Sequence, residues 1–148
     1  MTASTTLDRF RTAMEKGDHA ALEELLTPDI RFYSALKPEP IEGRDMVMGV
    51  FGVFIRTLED FRYVGSYDGS CETSADGSEA ESAVLVFRTA VGGEEVHGID
   101  LLHFSEDGLV KEFTAMVRPQ AAAEALGQAV YEGLVADGFV PAPAPAAE

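Results

Sequence analysis

Val96-His97-Gly98-Ile99-Asp100-Leu101-Leu102-His103-Phe104, then Ser105-Glu106-Asp107-Gly108, then Leu109-Val110-Lys111-Glu112-Phe113-Thr114-Ala115-Met116-Val117 is the stretch on which the fold turns. Two runs rich in Val, Ile, Leu and Phe flank a Glu-Asp-Gly turn, the pattern of an antiparallel hairpin. A type I turn followed by a glycine bulge sets Phe104 opposite Val110, Leu102 opposite Glu112 and Asp100 opposite Thr114. Alternation then puts Gly98, Asp100, Leu102 and Phe104 on one face with Val110, Glu112, Thr114, Met116 and Arg118. The other face carries His97, Ile99, Leu101 and His103 with Lys111, Phe113, Ala115 and Val117. Both faces are apolar at their centres, whereas a sheet with one wet face alternates apolar with polar. One face is therefore expected under this chain's own helices. The other is expected to meet a second copy, as a homodimer through Ile99, Leu101, Phe113, Ala115 and Val117.

Upstream, Phe61–Tyr67 and Ala83–Val91 read as further strands, separated by Asp68-Gly69, Ala75-Asp76-Gly77-Ser78 and Gly92-Gly93 turns. Leu7, Phe10 and Met14 recur at helical spacing, and Gly17 is placed to end that helix. Asp18 caps a second helix whose stripe is Leu22, Leu25 and Leu26, closed by Thr27-Pro28. Ile30–Ser34 reads as a short strand, and Lys37-Pro38-Glu39-Pro40 as a loop. A third helix runs from Gly43-Arg44-Asp45 to about Leu58, with Gly49 and Gly52 read as close packing on a sheet. Pro119 opens a last helix carrying Leu126, Val130 and Leu134. The order is helix, helix, strand, helix, four strands, helix. It predicts one α+β domain over residues 1–140, with N-terminal helices on a curved, mostly antiparallel sheet. Pro141–Glu148, all Pro and Ala but for the final Glu148, reads as a disordered tail over 141–148.

The 148 residues carry 11 Lys+Arg against 26 Asp+Glu, a formal charge of −15. That excess repels phosphate backbones and anionic lipid surfaces, so neither nucleic acid nor membrane is an expected partner. Cys71 is the only cysteine, which suits a reducing compartment. No signal-peptide pattern is visible at Met1-Thr2-Ala3-Ser4, and the longest uncharged apolar run, Met46–Ile55, is well short of the about 20 residues of a span. The expected setting is cytoplasmic. His97 and His103 lie about 20 Å apart along one strand, so no metal site is expected, and no motif calls for a cofactor.

Several segments in this order resemble the SnoaL-like members of the nuclear transport factor 2 superfamily. They are Phe10–Asp18, Leu25-Leu26-Thr27-Pro28-Asp29-Ile30-Arg31-Phe32, Pro40-Ile41-Glu42-Gly43-Arg44-Asp45, Gly98–Phe104 and Glu106–Phe113. The resemblance covers about Leu7 to Leu134. It implies a cone-shaped fold with an interior pocket and, in many members, a dimer. Ketosteroid isomerases of the superfamily use a Tyr on the first helix, an Asp base on the first strand and a neutral Asp on a later strand, an enzyme that also serves as a general example of pKa tuning. By resemblance those positions fall on Phe10, Ser34 and Asp100, so one of the three groups is kept. The acids of limonene-type epoxide hydrolases have no counterpart in Phe87-Arg88-Thr89 or Phe113-Thr114-Ala115-Met116.

Asp100 is the candidate catalytic residue. It is the one acid in the middle of an apolar strand, where burial favours the neutral, hydrogen-bond-donating form. A structural Asp bonded to Thr114 or a helix N-terminus is the competing reading. Phe10, Met14, Phe32, Ser34, Phe51, Ile55, Leu102, Phe104, Thr114, Met116 and Arg118 are the expected pocket. Arg118 lies at its mouth, about 13 Å along the sheet from Asp100. Two functions fit: binding of a small apolar or carbonyl-containing molecule, or a polyketide cyclase- or isomerase-type enzyme with Asp100 as acid. Acid–base work usually needs two complementary groups, which favours binding.

Overall fold

In the computed structural model, which describes residues 1–142, Thr2 caps α1 (Ala3–Lys16) through its hydroxyl, which accepts from the Thr5 N–H at 3.1 Å. Gly17 ends the helix at φ 69°, and the Asp18 N–H reaches back to the Ala13 carbonyl. Asp18 in turn caps α2 (His19–Glu23). That helix is shorter than its stripe predicts. Leu25 and Leu26 are buried, but from the turn and from the first residue of β1 (Leu26–Tyr33). The strand starts before Pro28, and Pro28-Asp29 sits exposed where the β1 register is irregular. A proline with no N–H is tolerated at such an interruption.

β2 (Ile41–Glu42), absent from the sequence reading, leads into α3 (Arg44–Thr57). β3 (Glu59–Glu72), β4 (Glu79–Val91), β5 (Glu94–Phe104) and β6 (Val110–Arg118) follow, then α4 (Gln120–Ala136). The sheet order is β2-β1-β6-β5-β4-β3, antiparallel throughout except for the parallel β1–β6 pair. One core joins residues of all four helices to the inner face of the sheet. Gly49 and Gly52 do not face the sheet. A Cβ at Gly49 would come within 3.0 Å of the Phe139 ring, and Gly52 faces His19 of α2. Of the predicted tail, residues 143–148 lie outside the described residues. Among the described residues, no helix is long and apolar enough to cross a membrane.

The β5–β6 register differs from expectation by one residue. Phe104 does pair with Val110, but an irregularity between His103 and Phe104 admits Lys111 as an extra residue on β6. Beyond it His103 opposes Glu112, Leu102 opposes Phe113, and Asp100 opposes Ala115 rather than Thr114. A one-residue shift turns every later β6 side chain to the other face. Phe113 and Ala115 therefore point inward beside Leu102 and Asp100. Glu112, Thr114, Met116 and Arg118 point outward beside Ile99 and Leu101. The surface expected to carry a dimer is thus divided: Ile99 and Leu101 are on the outer face, while Phe113, Ala115 and Val117 face the cone's interior.

Both sides of the bulge explain it. Inward, the Phe113 ring stacks on Phe32 at 5.2 Å and meets Phe51 at 5.3 Å and Phe10 at 5.7 Å. Outward, the Glu112 carboxylate is fully buried beneath the β3–β4 connection, where it accepts from the Ser74 N–H at 2.8 Å and the Ala75 N–H at 3.2 Å. Arg31, its parallel-sheet neighbour, lies 3.5 Å away, and His103 Nδ1 3.4 Å. The bulge-free register would put this carboxylate among phenylalanines, at a cost of several kcal/mol.

Replacing Glu112 with Ala should therefore lower unfolding stability in urea by about 3–5 kcal/mol, because Arg31 and two backbone N–H groups lose their partner. A loss below ~1 kcal/mol would show that the carboxylate does not anchor the β3–β4 connection.

Candidate functional site

Asp100 lies on the inner face of β5, flanked in register by Leu85 of β4 and Ala115 of β6. Two residues earlier stands Gly98, and the space its side chain would fill belongs to Phe87. A Cβ there would come within 2.5 Å of the Phe87 ring and 2.7 Å of the Met116 carbonyl oxygen. Phe87 stacks on Phe61 at 5.4 Å, and Phe61 meets Tyr63 edge-on at 4.9 Å. This chain of rings brings the Tyr63 hydroxyl to Asp100, where it donates to Oδ2 at 2.8 Å. Helix α1 fixes Tyr63 from its other side: the Tyr63 N–H donates to Glu15, and Arg11 donates to the Tyr63 carbonyl.

Asp100 is 5% exposed, and among the described residues no basic side chain pairs with it. Burial pushes its carboxyl from 3.8 up to about 7, against the downward pull of the Tyr63 hydrogen bond. Burial, and then the charge of Asp100, push the Tyr63 phenol well above its ordinary 10, so it stays a neutral donor. When protonated, Asp100 has an O–H to offer while still accepting from Tyr63.

Asp100 borders a void of about 20 Å³ and is the polar side chain on it among the described residues; Met14, Leu58, Phe61, Phe87 and Phe113 are among the apolar walls. Beside it, under α4 and the Ser34–Pro40 segment, lies a chamber of about 320 Å³. Phe32, Ile41, Met46, Val50, Leu126 and Val130 give it an apolar wall, with Ser34, Lys37, Glu39 and Tyr131 as its polar-bearing members. The void and the chamber share Phe54, Ala115 and Leu126. A third space, of about 270 Å³, opens between the ends of α1 and α3 and shares Met14, Phe54, Leu58 and Phe61 with the void.

The residues expected to line one pocket are dispersed. Phe32 and Ser34 line the chamber, Met14 the void and the third space, and Ile55 the third space. Phe10, Phe51, Leu102 and Phe104 are buried in the packed core. Thr114, Met116 and Arg118 lie on the outer face, turned there by the bulge. Asp100 is bonded by Tyr63 rather than by Thr114. Arg118 pairs with His97 in a cross-strand row that continues through Arg88 to Arg62. Desolvation, then Arg88 and Arg118, lower the His97 pKa below its ordinary 6.5. Sequence reasoning missed Phe54 and Tyr63. Phe54 follows Phe51 by three residues on one helix face, a visible signal. Tyr63 shares a strand face with Phe61, but its approach to Asp100 depends on Phe87 and Gly98 across two registers.

The model of the SnoaL-like domain family matches residues 7–113, and the chain belongs to that family. It is similar to a steroid delta-isomerase from Pseudomonas aeruginosa, at 32% identity over 93% of this chain and 95% of that one, with a TM-score of 0.79. It is also similar to a protein with a cystatin-like fold from Silicibacter pomeroyi, at 28% identity over 90% and 88% of the two chains, with a TM-score of 0.78. An epoxide hydrolase/cyclase-like enzyme of pyran ring formation in salinomycin shares the fold at 12% identity, 81% and 92% coverage and a TM-score of 0.57. No curated protein sequence matches the chain. The fold is α+β, of the cystatin-like, nuclear transport factor 2-like type.

The raised pKa sets a pH dependence. Between 3.8 and about 7 the folded state binds more protons at Asp100 than the unfolded chain does. Its contribution to stability is therefore greatest below that window and falls as pH rises through it, by an amount on the order of 4 kcal/mol. Relative to Asp100→Asn, the wild type should lose stability in urea from pH 4 to pH 8; a pH-independent difference would contradict a raised pKa. Tyr63→Phe, which removes the one lowering influence, should move the Asp100 carboxyl titration further up in NMR.

Proposed function

We propose that this protein binds a small apolar molecule bearing one carbonyl or hydroxyl oxygen. The body of the ligand lies in the chamber beneath α4, and its oxygen is directed toward Asp100. The observation that carries this reading is the adjacency of a largely apolar chamber of about 320 Å³ to a single buried acid whose pKa is near neutrality. Pockets for small ligands combine apolar walls of this volume with few placed polar groups. A protonated Asp100 would donate one hydrogen bond, and losing such a donor typically costs 1–3 kcal/mol of binding.

A second reading, an isomerase- or cyclase-type enzyme with Asp100 as its acid or donor, is supported by the 32% identity to the steroid delta-isomerase. What weighs against it is the lack of a second acid–base group at the void. Tyr63, the nearest, spends its proton on Asp100, and Phe10 and Ser34 stand where the resemblance places the tyrosine and the base.

The outer sheet face, where half-buried Val86, Ile99 and Leu101 adjoin Met116 at 49% exposure, supports a homodimer through that face. We place the protein in the cytoplasm on its single cysteine, which suits a reducing compartment.

Titration with the neutral fluorophore N-phenyl-1-naphthylamine should show saturable binding, displaced by 2-decalone. Val130→Trp, which fills the chamber, should abolish it with the melting temperature retained. A wild-type protein that binds neither compound would refute the binding reading. Turnover of a Δ5-3-ketosteroid above background, lost in Asp100→Asn, would favour the second. For the dimer, Leu101→Asp should give monomers in sedimentation, and a wild-type monomer at micromolar concentration would overturn it.

A further inference from the structure

Phe54 is the one residue common to all three spaces: the chamber, the Asp100 void and the opening between α1 and α3. It stands in the last turn of α3, and its ring leans on Phe32 and Phe51, each at 6.2 Å in tilted geometry. The aromatic cluster therefore supports it from one side. The ring also borders the third space, of about 270 Å³, which is open volume next to it.

The void at Asp100, about 20 Å³, is far smaller than the chamber. A site of that size takes one water-sized group. A carbonyl carbon with its two substituents does not fit it. A ligand lying in the chamber therefore stops at the junction formed by Phe54, Ala115 and Leu126. Ala115 contributes only a methyl group there, so the obstruction belongs to Phe54 and Leu126.

We propose that Phe54 is the gate that sets the length of ligand this site accepts, and that a ligand oxygen reaches Asp100 only with the Phe54 ring turned toward the α1–α3 opening. The proposal rests on the chamber being the binding site. Its ligands are elongated apolar molecules with a terminal carbonyl or hydroxyl. Short ones occupy the chamber alone; longer ones displace the ring and contact the acid. Phe54 is a specificity-determining residue in this scheme and takes no part in proton transfer.

The test is displacement of N-phenyl-1-naphthylamine by the series from 2-hexanone to 2-dodecanone, on wild type, Phe54→Leu and Phe54→Trp. Each methylene that finds apolar space should tighten binding about fourfold, the equivalent of ~0.8 kcal/mol. In the wild type that gain should stop at a limiting chain length. Phe54→Leu should move the limit to longer ketones and Phe54→Trp to shorter ones. In the carboxyl NMR titration, the Asp100 signal should respond to ketones beyond the wild-type limit and not to shorter ones. Should Phe54→Leu fail to fold, Leu126→Val on the opposite wall of the junction should move the limit in the same direction. An unchanged limit in the variants, with binding intact, overturns the gate and leaves the chamber reading standing. A wild type that binds neither fluorophore nor ketone overturns both.

Discussion

The extra residue at Lys111 is the constraint from which the rest of the molecule follows. It decides that Phe113 enters the cone and Glu112 leaves it, and each outcome stabilises the other. Phe113 sits among Phe10, Phe32 and Phe51, and its stacked contact with Phe32 and edge-to-face contact with Phe51 add to the burial of their area. Glu112, turned outward, is still removed from water because the β3–β4 connection folds over it and supplies two N–H groups. A buried carboxylate is tolerable only when its lone pairs are matched, and here Arg31 and the Ser74 and Ala75 amides match them. The same shift puts Ala115 beside Asp100. A bulkier residue at that position would add to the obstruction between the chamber and the acid.

Asp100 shows the opposite treatment of a buried acid. Glu112 is surrounded by donors and has a cation beside it; Asp100 has one neutral donor and aromatic walls. Two acids in neighbouring strands, one on each face, thus have different electrostatic settings. The outer one fastens a loop. The inner one is pushed toward neutrality, and a carboxyl poised there can donate to an oxygen that an ionised carboxylate would repel.

Much of this was legible from residues alone. The helix ends at Gly17 and Asp18, the Glu106-Asp107-Gly108 turn, the α+β order and the isolation of Asp100 follow from local chemistry that tertiary contacts reinforce. Lys111 is where that legibility ended. A hairpin with a Gly turn is compatible with a second bulge or with none, and the choice rests on partners distant in sequence: Arg31, Ser74 and Phe32. Every face assigned on β6 beyond Lys111 depends on that choice, which is why Thr114, Met116 and Arg118 leave the expected pocket together. Phe10 and Phe51 leave it for a different reason. Large aromatic residues at helical spacing signal burial, and burial can mean filling a cavity as readily as lining one. The core between α1, α3 and the sheet is packed with phenylalanine, and the open volume lies toward α4 and the Ser34–Pro40 segment.

That placement bears on chemistry. In the ketosteroid isomerase pattern, a tyrosine from the first helix and a neutral aspartic acid both donate to the same substrate oxygen. Here the first helix contributes Phe10, buried in the aromatic cluster, and the hydroxyl bonded to Asp100 comes from Tyr63 on β3. Its proton is directed at the carboxyl itself. A hydrogen bond from Tyr63 favours the ionised form of Asp100, while burial favours the neutral one, and the balance lies near pH 7. Tyr63 also occupies Oδ2, so Oδ1 is the oxygen left to meet a ligand. The site accordingly presents one donor where that pattern presents two. A single donor in an apolar recess orients a carbonyl or hydroxyl group well, but it provides only half of what proton transfer between two carbons requires. One donor in an apolar recess is what the proposed binding role asks for, with Asp100 as the point that would fix which end of the ligand goes in.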